Sequence, residues 1–163
     1  MEGDVDFLRS WSEYKTGFGV PPGDFWLGND AIYNLTSKHT YELRIDLTVN
    51  DQDLYANYSS FGIEAESDNY RLRLGSHSGT LGETSVAYGL SYHDGQAFST
   101  HDRDNDQVSY NCAMRHYGAW WYRGCHSTNL NGLWRVKDTR GVSWFTGNEQ
   151  HYPTRSEMKI RRV

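Results

Sequence analysis

Between Tyr41 and Val49 the chain alternates without a break. Tyr41, Leu43, Ile45, Leu47 and Val49 are apolar, while Glu42, Arg44, Asp46 and Thr48 are polar or charged. A period of two puts one set on each side of an extended chain, so these residues commit to a strand with one dry face and one wet face. Such a strand needs partners. Shorter alternations at Tyr70-Arg71-Leu72-Arg73-Leu74 and Met158-Lys159-Ile160, with the aromatic-rich run from Tyr55 to Phe61, supply them and predict a mainly antiparallel sheet. Helical signal is confined to the first third. Phe7, Trp11 and Tyr14 share a helical face with Gly17 as the stop, and Asn29-Asp30 can cap a short turn through Ile32 and Leu35. Both short helices are expected to pack on the sheet.

From Gly75 to about Gly132 periodicity fades into Gly, Asn, Asp, Ser and His with scattered aromatics, a stretch long enough to need fasteners of its own. The reading is an α+β fold whose irregular half carries the function. At 163 residues, with no composition break, it is expected to be a single domain over residues 1–163. Only 37% of residues are hydrophobic, but Tyr 12 and Trp 6 supply the apolar bulk that a disordered chain lacks. No run approaches the roughly 20 apolar residues of a membrane-spanning helix, so no membrane insertion is expected. A net charge of -5 argues against nucleic acid as a partner.

Met1 is followed by Glu2, Gly3 and Asp4 rather than a basic segment and an apolar run, so the start reads as that of an internal fragment. The compartment must come from chemistry. Cys112 and Cys125 enclose twelve residues and fit a disulfide worth about 3 kcal/mol on the loop-entropy model, the alternative being two free thiols. The triplets Asn34-Leu35-Thr36 and Asn57-Tyr58-Ser59 are glycosylation acceptors in form. Together these features lean towards a secreted glycoprotein.

Asp102, Asp104 and Asp106 alternate within five residues, and carboxylates this close repel unless a cation gathers them. Hard oxygen donors select Ca²⁺ over softer metals. The run is not an EF-hand, since Gln107 stands where that loop needs Gly and Ala113 where it needs Glu. A solvated acidic turn is the alternative. Further on, adjacent Trp120 and Trp121 on an extended backbone point opposite ways, so one is available as the wall of a cleft unless both pack in the irregular half. His116 and His126 flank the second Cys, but no nucleophile and base are fixed by spacing, and no enzyme is expected.

The chain resembles the fibrinogen C-terminal (fibrinogen-related) domain of ficolins, tachylectins and fibrinogen chains. The likeness rests on Gly23-Asp24-Phe25-Trp26-Leu27-Gly28-Asn29-Asp30, Phe98-Ser99-Thr100, Asp102-Arg103-Asp104-Asn105-Asp106, Gly118-Ala119-Trp120-Trp121-Tyr122, Cys125-His126 through Gly132, and Glu157-Met158-Lys159-Ile160-Arg161. The likeness begins after the family's N-terminal subdomain, so the sequence is expected to be a fragment cut just after that portion. The resemblance implies a secreted, disulfide-bonded module that binds Ca²⁺ through Asp104 and Asp106 and the carbonyls of Val108 and Tyr110, with Asp102 outside the first ring of ligands.

It also implies an acetyl pocket, in which a cis Gly124–Cys125 peptide presents the amides of Cys125 and His126 to a carbonyl oxygen. His116, Trp121, Tyr122, Gly124, Cys125 and His126 are then the ligand-binding residues. His116 and Asp138-Thr139 replace residues of the lectin pattern, which alters the cup. The expected function is a calcium-dependent recognition lectin of innate immunity for acetylated glycans or microbial polymers such as peptidoglycan, lipopolysaccharide or chitin, acting in an oligomeric full-length protein. The alternative is a protein- or peptide-binding module, either a fibrin-type hole or a receptor ligand.

Overall fold

The computed structural model describes residues 3–82 and 87–163. In chain order its elements are α1 (Trp11–Thr16), β1 (Phe18–Gly19), β2 (Phe25–Trp26), α2 (Asn29–Thr36), β3 (Tyr41–Val49), β4 (Gln52–Ile63), β5 (Leu72–Leu74), β6 (His77–Gly79), α3 (Cys112–His116), β7 (Thr128–Asn129), β8 (Ser143–Phe145), β9 (Gln150–His151) and β10 (Arg155–Arg162). The main sheet is antiparallel in the order β10-β3-β4-β5, with β6 also pairing with β4, and β7-β8-β9 form a second small sheet. The expected α+β architecture is the observed one.

The alternation in β3 works as expected. Leu43, Ile45, Leu47 and Val49 are buried, each worth about 1.5–3 kcal/mol of burial, while on the wet face Asp46 pairs with Arg44 and with Lys159 of β10. The β3–β4 hairpin closes through Asn50 and Asp51, both at positive φ, which these two residue types tolerate in a two-residue turn. β5 is shorter than the alternation predicted: Tyr70 adopts positive φ and is fully buried, so the strand begins at Leu72.

Two helix boundaries also differ. α1 starts at Trp11, leaving Phe7 outside the helix but in the core, because Ser10 and Glu13 close a reciprocal cap. The Ser10 amide and hydroxyl, with Arg9, hold the Glu13 carboxyl at about 2. Replacing Ser10 by Ala is expected to cost about 1 kcal/mol, read from the midpoint of chemical unfolding, and an unchanged midpoint would discount the cap. α2 is capped by Gly28 rather than by Asn29. Asn29 is buried and its Oδ1 accepts from the Trp26 indole at 2.9 Å, so it is occupied inside. The expected packing of α2 on the sheet is present, with the Ile63 amide donating to Thr36 Oγ1.

The core is continuous with the irregular half. Trp11 stacks on Tyr70 at 5.4 Å, Trp26 on Phe98 at 6.2 Å, and Phe98 meets Trp121 edge-on at 5.2 Å. Asp102 ties the two parts together, since its Oδ1 accepts from the Trp11 amide at 2.9 Å and from Thr100 Oγ1 at 2.7 Å.

The glycosylation triplets both fall in regular elements rather than loops. Asn34 is exposed on α2, whereas Asn57 is half-buried in β4 between Arg44 of β3 and Ser78 of β6. Asn57 lies on the face of β4 opposite buried Ala56 and Tyr58.

Candidate functional site

Three segments meet around one disulfide. The first is the acidic run. The Asp106 amide donates to Asp104 Oδ1 at 3.1 Å, and Asp106 in turn accepts from the Val108 amide at 2.9 Å and the Cys112 amide at 2.8 Å. Burial pushes the Asp106 carboxyl above its ordinary value, and the neighbouring Asp104 adds to the push against the two amides. Two crowded carboxylates, one of them driven towards protonation, are what a divalent cation relieves.

Asp104 and Asp106 therefore fit the expected calcium donors in chemistry. Among the described residues no hydrogen bond is donated to the Val108 or Tyr110 carbonyl, so both oxygens keep their lone pairs. No group of three or more His, Cys, Asp or Glu side chains that could hold a metal occurs among the described residues, so the backbone carbonyls are essential to any such site.

The second segment is α3. Asn111 caps it by accepting from the Met114 amide at 2.8 Å, while its Nδ2 donates back to the carbonyls of Thr100 and His101. The Cys112–Cys125 disulfide predicted from the sequence is present, with the two Cα atoms 5.3 Å apart. It pins α3 to the third segment, residues 121–129.

Beneath that third segment lies His93, which the sequence reading missed. It is fully buried. Its Nδ1 lies 2.8 Å from the Trp121 carbonyl, and its Nε2 accepts from the amides of Ser127 and Thr128, each at 3.1 Å. The geometry fixes a neutral ring with the proton on Nδ1, and burial lowers its ionisation to about 3.

The expected ligand-binding residues divide into two groups. His116 and His126 come together edge-on at 4.6 Å, and both bond the same acceptor: His116 Nδ1 and His126 Nε2 each lie 2.8 Å from the Thr139 carbonyl. A carbonyl only accepts, so both nitrogens carry protons and the opposite nitrogens, Nε2 of His116 and Nδ1 of His126, keep lone pairs. Burial lowers the ionisation of both rings. His126 falls to about 4, with its neighbour His116 as the second cause. At neutral pH this is an uncharged pair of imidazoles.

Trp121 and Tyr122 belong elsewhere. Both are fully buried, Trp121 donating to the Tyr70 carbonyl at 2.8 Å and Tyr122 to Asn129 Oδ1 at 2.7 Å. Trp120 is buried as well, and the two indoles meet edge-on at 5.0 Å. Neither indole is the expected cleft wall, because the irregular half wraps protein around both sides of the backbone here. Tyr122 serves as flooring, its ring 6.2 Å from that of His126.

The expected cis bond is also corrected. Among the described residues the cis peptide is Pro21–Pro22, and Gly124–Cys125 is trans. The chain turns instead through a positive φ at Cys125, with the Arg123 amide donating to the Cys125 carbonyl at 2.9 Å and the Gly124 amide to Tyr92 Oη at 3.3 Å. Trans is the cheaper isomer for a non-proline bond by about 3 kcal/mol, and the turn is made without giving it up. Among the described residues the amides of Cys125 and His126 donate to no protein acceptor.

A separate apolar groove of about 490 Å³ runs along β10, lined by Trp26, Leu43, Phe61, Leu130 and Met158 among others, and none of the expected site residues borders it.

Residues 1–163 match the model of the C-terminal globular domain of fibrinogen beta and gamma chains. The chain belongs to the fibrinogen C-terminal domain family. Ryncolin-4 of Cerberus rynchops is 45% identical over 168 residues, covering 99% of this chain and 47% of that protein. The fibrinogen-like globe domain of human ANGPTL6 superposes with a TM-score of 0.90 at 40% identity, over 99% of this chain and 74% of that one. A lamprey fibrin D-dimer complexed with the peptide Gly-His-Arg-Pro-amide gives 0.85 at 30% identity, over 99% of this chain and 60% of that one. The chain spans less than half the length of the curated relatives it matches.

Proposed function

We propose that this fibrinogen-family domain is an extracellular binding module that captures an acetylated glycan, free or on a microbial surface polymer, beside a calcium-ordered loop. The observation that carries the reading is the pairing of two uncommitted amides, Cys125 and His126, with two neutral imidazoles over a disulfide. An acetamido group is neutral, needs donors for its carbonyl oxygen, and offers an N–H to an imidazole lone pair. Calcium would be held by Asp104 and Asp106 with the carbonyls of Val108 and Tyr110, and would neutralise the crowded carboxylates. Asp106 transmits that order, because the Cys112 amide it accepts belongs to the disulfide. The disulfide also supports an oxidising, secreted setting. Membership of the fibrinogen C-terminal domain family supports binding rather than turnover. Single sites of this kind are weak, so useful capture of a repeating surface depends on several copies in the full-length protein.

The lamprey fibrin complex favours a second reading, a hole for a peptide N-terminus. Against it, a cationic amine wants a free carboxylate. Asp138 is instead spent on Arg140, with contacts of 2.7 and 3.1 Å, and the nearest rings are held neutral.

Titration calorimetry with N-acetylglucosamine, glucose and the Gly-His-Arg-Pro-amide peptide, in calcium and in chelator, separates the two readings. The acetylated sugar is expected to bind at least tenfold better than glucose, to weaken in chelator, and to lose about tenfold with His126→Ala. Equal binding of the two sugars, or peptide binding alone, would overturn the glycan reading.

A further inference from the structure

A neutral acetyl pocket does not account for the charge around it. Asp104 and Asp106 also stand at the disulfide, where calcium would neutralise them; past them, residues 107–148 carry five basic side chains, Arg115, Arg123, Arg135, Lys137 and Arg140, against one acid, Asp138, in a protein whose net charge is -5. That one acid is already neutralised by Arg140. Arg115, Arg123, Arg135 and Lys137 are exposed, and among the described residues none of the four forms an ion pair.

The two arginines beside the disulfide are held by rings instead of carboxylates. The Arg115 guanidinium lies over Tyr110 at 4.7 Å and that of Arg123 over Tyr92 at 5.4 Å. Stacking on a ring face fixes a guanidinium plane while leaving its N–H edge unspent. Among the described residues neither guanidinium donates a hydrogen bond to a protein acceptor. The two groups flank the candidate site, since Arg115 lies three residues past Cys112 in α3 and Arg123 two residues before Cys125. With the two cysteine Cα atoms 5.3 Å apart, the Cα atoms of Arg115 and Arg123 are within about 18 Å of each other. One polymer chain crossing the disulfide can therefore reach both. Arg115 is near enough to His116 to bias that ring's ionisation, which places it at the rim of the histidine pair.

We infer that the ligand is an anionic glycan, an acetamido polymer carrying sulfate or carboxylate groups, clamped by Arg115 and Arg123 on either side of the disulfide. This rests on the acetylated-glycan reading above and narrows it. Anions on a polysaccharide recur at every sugar or two, and a planar guanidinium matches either oxyanion in bidentate fashion. The acidic remainder of the molecule repels such a polymer, so the basic face also sets its orientation.

The test compares chondroitin sulfate, the same chain chemically desulfated, and a neutral chitin oligosaccharide, each titrated in calcium between 0.05 and 0.3 M salt. The sulfated and carboxylated chains are expected to bind at least tenfold more tightly than the neutral oligomer at about 0.1 M salt. Two neutralised anions predict a log–log salt slope of about -1.5. If only the sulfated chain gains, sulfate is the recognised group; if both gain, the carboxylate suffices. Arg115→Gln with Arg123→Gln is expected to remove the gain and flatten the slope, with partial rescue by Arg115→Lys, while Arg73→Gln on β5, paired with Glu64 in the sheet, leaves it in place.

A neutral oligomer binding as well as the charged chains would overturn this inference and leave the acetyl reading standing. Failure of every acetylated chain, charged or neutral, would overturn the reading itself. Charged-chain binding that survives the double substitution, or an equal grip on RNA of matched charge, would overturn the arginine clamp.

Discussion

Acidification from pH 6.5 to pH 4.5 is expected to destabilise this protein steeply, before most carboxylates titrate. His93 carries the largest share. Its ordinary value near 6.5 falls to about 3 in the folded chain, chiefly through burial, opposed by the bond to the Trp121 carbonyl and reinforced by His126 and Arg123. The rings of Tyr92 and Trp120 and the amides of Ser127 and Thr128 complete its surroundings, and none of these offers a carboxylate.

The sign follows from the depressed value. Above pH 6.5 the ring is neutral folded or unfolded, and its contribution is whole. As pH falls towards 3 the unfolded chain binds a proton that the folded chain refuses, so stability is lost at about 1.4 kcal/mol per pH unit. His116 and His126 are lowered in the same direction and steepen the loss. Unfolding free energies from urea titrations across pH 7 to 4 check this. His93→Gln keeps a donor for Trp121 and an acceptor for the two amides but cannot ionise, so it should flatten the slope from a lower baseline. A flat profile in the native chain, or an unchanged slope in the variant, would remove His93 from this role. Because His93 holds the loop that carries Cys125 and His126, ligand binding should fade over the same interval.

Trp121→Ala is expected to be the most damaging single substitution in the site region, at about 3–5 kcal/mol. The indole is enclosed by Trp120, Phe98 and Trp26, and its Nε1 satisfies the Tyr70 carbonyl, so truncation opens a cavity and orphans a buried acceptor at once. Trp121→Phe keeps most of the volume and loses the donor, which puts its cost nearer 1–3 kcal/mol. Both are read from chemical-unfolding midpoints. If Trp121→Ala unfolded like the native chain while losing ligand, the residue would be a wall of the pocket after all.

How much of this was legible in the sequence depended on whether the signal was local. The β3 alternation, the Gly17 stop and the disulfide could be read because each is decided within a few residues or by one covalent pairing. The resemblance carried the family, while the cis bond it implied at Gly124–Cys125 is trans in the structure. The misses share a different cause. Tyr70 leaves its strand because Trp121, far along the chain, takes its carbonyl. Asn29 fails to cap because the Trp26 indole uses its oxygen.

The sequence by itself determined which residues can be strands and where the chain can be cross-linked, since period, residue type and spacing act over short range. Only the tertiary structure decided which aromatic rings are core, that His116 and His126 share one carbonyl, that His93 supports the loop from below, and that Arg115 and Arg123 lie over tyrosine rings on either side of the disulfide. Those facts depend on burial and on partners distant in the chain, and it is the exclusion of water by the assembled fold that makes a buried histidine neutral.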